Sequence, residues 1–95
     1  MAIRYNATTL EKIERLITES GYVLRYERGN FQSGYCLLEA RKVVVINKFL
    51  QVEGRIHTLI DLLPVLSVDP FLLSPEARSL YVELMGRFEV QDSQV

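Results

Sequence analysis

The sequence predicts an α+β fold: a three-stranded antiparallel meander with three helices outside it, in the order α-β-β-β-α-α. Three observations lead there. Between Tyr35 and Leu63 the pattern YCLLEARKVVVINKFLQVEGRIHTLIDLL passes from a β-branched apolar run to a helical stripe. A stretch before it and another after it carry apolar residues at helical spacing behind recognisable start signals. Short polar segments, Gly29-Asn30 and Arg41-Lys42, fall where strands would turn back on themselves.

Residues 8 to 20 read as the first helix. Thr8 followed by Glu11 fits a capping box, and Leu10, Ile13, Leu16 and Ile17 make one stripe. Glu11 and Arg15 pair on the wet side. Gly21 stands where a left-handed C-terminal cap is wanted. Tyr22 to Glu27 then alternates as a strand, with Leu24 and Tyr26 on one face and Val23, Arg25 and Glu27 on the other. Gly29-Asn30 is its turn, and Ser33-Gly34 marks a bulge as the second strand begins. Arg41-Lys42 lacks Gly and Asn, so that hairpin should be looser than two residues.

Val43 to Ile46 is apolar on both strand faces, as in a strand buried on both sides. After Phe49, Ile56, Leu59, Ile60 and Leu63 form a helical stripe that Pro64 should end. A proline-broken apolar linker, residues 65–71, leads to a third helix with Ser74 as cap and Pro75 at its first position. Its stripe is Ala77, Leu80, Tyr81, Leu84 and Phe88, its exposed pair Glu83 and Arg87, and residues 91–95 should fray. The expected core is Leu10, Ile13, Ile17, Leu24, Leu38, Val45, Ile56, Leu59, Ile60, Leu63, Leu80 and Leu84.

Ninety-five residues make one domain, residues 1–95, burying roughly 60–68% of the surface of its unfolded chain. With 48% hydrophobic and 24% charged residues it has the composition of an ordinary globule. Eleven basic and twelve acidic side chains give a net charge of −1, which supplies no basic stripe for nucleic acid or anionic lipid. There is neither a secretory signal nor an apolar run long enough for a membrane span. Cys36, the single cysteine, has no internal disulfide partner, which fits the cytoplasm.

No stretch carries a chemistry-specific motif, no cofactor is implied, and no catalytic set can be named. Cys36 lies in an apolar strand and reads as an inert core thiol, not as a nucleophile. His57, the only histidine, has Asp61 one helical turn later and Glu53 one turn earlier. This arrangement offers two of the four ligands zinc usually takes, and otherwise reads as a solvated helix flank. Arg25, Tyr35 and Lys48 share a strand parity that could stack a base, but Glu27 and Glu39 on the same parity favour a salt-bridged surface.

A meander ending in VVVIN, a helix with His57 and a helix starting SPEARSLYVELM resemble the minimal-zincin metallopeptidases. That resemblance implies, as the alternative function, a degenerate metal-dependent hydrolase with a metal set of His57, Asp61 and Glu76. Thr58 stands where the family's water-activating glutamate belongs and Asp61 where its second histidine does, so the family's hydrolysis does not carry over. RYERGNFQSGYC and VVVINKF also resemble a set of short, functionally uncharacterised bacterial proteins, a likeness that brings no activity with it.

The remaining expectation is self-association. If the helices cover one sheet face, Val23, Leu37, Val44 and Ile46 remain as an apolar patch rimmed by Arg25, Glu27, Glu39 and Lys48. Such a patch suits a non-catalytic interaction module that forms a homodimer.

Overall fold

The computed structural model describes residues 3–28 and 35–93. Helix α1 (Ala7–Glu19) is capped by Asn6, not by Thr8. The Asn6 residue is extended, and its side-chain oxygen accepts from the Thr9 N–H at 2.9 Å, so Thr8 falls inside the first turn. Leu10, Ile13, Leu16 and Ile17 are all buried, each worth roughly 1.5–3 kcal/mol of apolar burial. Gly21 ends the helix with φ +91°, a conformation a Cβ would strain. The Gly21 and Tyr22 N–H groups donate back to Thr18 and Ile17 at 3.0 and 3.3 Å, closing a Schellman motif.

Strands β1 (Val23–Glu27), β2 (Tyr35–Leu38) and β3 (Val43–Asn47) form one sheet in the order β1-β3-β2. The expected meander is therefore corrected. β3 pairs in parallel with β1 and antiparallel with β2, so the sheet is mixed. Apolar residues on both faces of β3 suit a central strand, while alternating β1 and four-residue β2 suit the edges. With β3 between them, β1 and β2 cannot share a two-residue hairpin. The expected Gly29-Asn30 turn and Ser33-Gly34 bulge lie outside the described residues. Between β2 and β3 the connection is looser than two residues, a 3-10 turn over Glu39–Arg41 followed by Lys42 at φ 51°.

The faces also differ from expectation. The register sets Leu24 beside Val44, Tyr26 beside Ile46, and Leu37 beside Val44. This is the side the helices cover: Val44 and Ile46 have no exposed surface, and Leu24, Tyr26 and Leu37 are packed against the core. Val44 and Ile46, expected at an interface, are core residues, and Leu37 lies with them. Leu38 and Val45, expected in the core, are on the other side, Leu38 46% exposed and Val45 half-buried. The β1–β3 register causes the exchange, because it aligns the even residues of β1 with the even residues of β3.

Helix α2 (Val52–Leu62) ends just before a 3-10 turn over Leu63–Val65 that contains Pro64, as its missing amide requires. Ile56, Leu59, Leu62 and Leu63 are buried; Ile60 is partly so, and Leu62 was not anticipated. The linker is ordered by its own contacts. The Tyr22 hydroxyl accepts from the Ser67 N–H at 2.9 Å, Leu66 and Leu73 are buried, and Asp69 caps a 3-10 turn over Pro70–Leu72.

Helix α3 (Pro75–Ser93) begins as expected, with the Ser74 hydroxyl accepting from Ala77 N–H at 3.3 Å. It extends into the tail expected to fray. Ala77 and Leu84 are buried, and Leu80 and Tyr81 pack beside them. Phe88 and the Glu83–Arg87 pair rest on side chains outside the described ones. α1 is the hub of the helical layer, packing against β1, α2 and α3.

Candidate interaction surface

Among the described residues, the helices cover one side of the sheet and leave the other bare. On it β1 presents Val23, Arg25 and Glu27, β3 presents Val43 and Val45, and β2 presents Leu38. Val23 is 54% exposed, and Val43 and Val45 are half-buried. Arg25 Nε sits 3.1 Å from a Glu27 carboxylate oxygen, both side chains largely in water. An exposed pair of this kind contributes little to stability, on the order of 0–1 kcal/mol. Its consequence is a polar margin beside an apolar strip. Of the residues expected at an interface, Val23 and Arg25 are here, whereas Leu37, Val44 and Ile46 belong to the covered side. Lys48 is exposed past the end of β3, its ammonium 5.7 Å from the Phe49 ring centre.

Among the described residues the β1 edge is open as well. Val23 N–H donates to Lys42 O at 2.8 Å and Glu27 O accepts from Lys48 N–H at 3.0 Å, so the odd residues of β1 bond to β3. Leu24 and Tyr26 therefore direct their backbone groups away from the sheet, and among the described residues none of these groups has a partner. Behind this edge the Tyr26 hydroxyl donates to Glu14 of α1, and the Arg55 guanidinium stands 4.3 Å from the Tyr26 ring centre. Arg55 is itself fixed by the carbonyls of Leu50 and Lys48 at 2.9 and 2.8 Å. Burial and the adjacent Glu14 carboxylate raise the Tyr26 hydroxyl well above the ordinary tyrosine range, although Arg55 opposes them. This cluster joins residues distant in sequence, and no local motif announced it.

The other candidates sit apart from this surface. His57 is exposed and its ring lies 4.6 Å from that of Tyr5, while Asp61 is exposed on the same helix. Glu76 instead lines a groove of about 270 Å³ between α1 and α3, with Lys12, Arg15, Leu80 and Glu83. Among the described residues no three His, Cys, Asp or Glu side chains form a group that could hold a metal ion. His57, Asp61 and Glu76 thus do not come together as a metal set. Cys36 sits opposite Val45 in the register, and its side chain is outside the described ones. Among the described residues no helix is long and apolar enough to cross a membrane.

Comparison with protein-family models, curated proteins and solved structures finds no match.

Proposed function

We propose that the protein is a small, non-catalytic interaction module that associates with a second copy of itself through its sheet, one side of which the helices leave bare. The observation that carries this reading is the exposure of Val23 and Leu38 beside half-buried Val43 and Val45, edged by Arg25 and Glu27. An apolar strip with a charged margin is the composition of an association surface. A two-fold dimer is the commonest closed assembly of a single kind of chain. The lone Cys36 fits a module working in the reducing cytoplasm.

Light scattering across micromolar concentrations tests the reading. A dimeric mass is expected, reduced towards the monomer by Val23→Asp without loss of the folded circular-dichroism spectrum. A monomeric wild-type mass throughout that range refutes self-association.

A further inference from the structure

Resting on that reading, we infer that the second copy adds along the free edge of β1, joining two three-stranded sheets into one of six strands about a two-fold axis at Tyr26. The backbone supplies the first half of the argument. Because Val23 and Glu27 turn their peptide groups to β3, the even residues Leu24 and Tyr26 offer theirs outward. Antiparallel addition to such an edge needs outward-pointing residues facing each other in bonded pairs. That condition restricts the two-fold axis to a few registers, centred on Leu24, Arg25 or Tyr26.

Charge decides among them. An axis at Arg25 sets Arg25 against the copy's Arg25, and an axis at Leu24 sets Arg25 against the copy's Val23. An axis at Tyr26 sets Arg25 against the copy's Glu27 and Glu27 against the copy's Arg25. Both pairs then occupy non-hydrogen-bonded positions, where side chains of antiparallel strands approach most closely. Charges on an edge strand usually discourage open-ended sheet growth. Here they oppose the mismatched registers and favour a closed pair.

The covered side is already prepared. The Tyr26 hydroxyl is held by Glu14 and its ring by Arg55, so the backbone at the axis is fixed before the copy arrives. Joined in this way, the two bare faces become one continuous surface carrying Val23, Val43, Val45 and Leu38 from each chain.

The test uses Arg25→Glu and Glu27→Arg separately and then mixed. Each variant alone turns both cross-strand pairs into repulsions, so its dimer dissociation constant should rise at least about tenfold. In an equimolar mixture the Arg25→Glu chain meets the Glu27→Arg chain with both pairs restored, and the dimeric mass should return. The Arg25–Glu27 pair within each strand stays broken in that mixture, so its loss cannot explain the recovery. Amide exchange on the wild type supplies the second measurement. Leu24 and Tyr26 amides should be protected in the dimer and lose protection on dilution. Variants that remain dimeric, a mixture that remains monomeric, or unprotected Leu24 and Tyr26 amides in a dimeric sample overturn edge pairing while leaving self-association standing. A monomeric wild type overturns both.

Discussion

The Tyr26 side chain ties three segments together: α1 through Glu14, β1 through its own backbone, and the entry to α2 through Arg55. Its alternation with Leu24 was readable from the sequence, but its partners were not, because Glu14 and Arg55 meet it only in the fold. Tyr26→Phe keeps the ring beneath Arg55 and removes the hydroxyl. Urea denaturation at neutral pH should register a loss of about 1.5–3 kcal/mol, the range for a hydrogen bond to a charged group. The pH dependence follows from the sign of the shift. Folding raises the Tyr26 pKa, so its contribution is complete below the ordinary tyrosine value of about 10 and declines as pH rises beyond it. The wild-type advantage over Tyr26→Phe should therefore narrow above that pH. A gap that widens there contradicts the assignment.

At the scale of elements, one carboxylate ties the end of α1 to the start of α3. Glu19, the last residue of α1, accepts from Ser74 N–H at 2.8 Å and from the Ser74 hydroxyl at 3.1 Å. Ser74 in turn caps α3 at Ala77. The cap was legible from Ser74-Pro75, whereas the incoming carboxylate depends on how the linker folds back. Ser74→Ala should cost about 1 kcal/mol. A double-mutant cycle with Glu19→Gln should give a coupling of at least about 0.5 kcal/mol, since the two share hydrogen bonds. Additive losses would show that the cap and the carboxylate act separately. The strand order departs from a meander at this scale too. Gly29-Asn30 resembles a hairpin turn and so points to a meander, and apolar residues on both faces of Val43 to Ile46 suit a central strand without fixing its neighbours.

For the whole molecule the question is which sheet face is core. Ile46 has no exposed surface and Val23 is 54% exposed, although both had been expected on one patch. Ile46→Ala should cost about 2–5 kcal/mol in chemical denaturation, as large-to-small changes in a packed core do. Val23→Thr, which keeps the β-branch, should stay within about 0.5 kcal/mol at dilutions where the chain is monomeric. Comparable losses at both positions would mean that the bare face is covered within the chain.

The sequence by itself determined the α+β class, the three helices and three strands in their order, the Gly21 cap, the Pro64 stop and the Ser74-Pro75 start. These features are local, arising from side-chain period, positive φ and missing amide protons. Only the tertiary structure decided the strand order, the parallel β1–β3 pair and therefore which face the helices cover. Strand parity separates two faces but does not say which one is buried. That depends on where α1 docks after Gly21, and on contacts such as Tyr26 with Glu14 that join residues far apart in the chain.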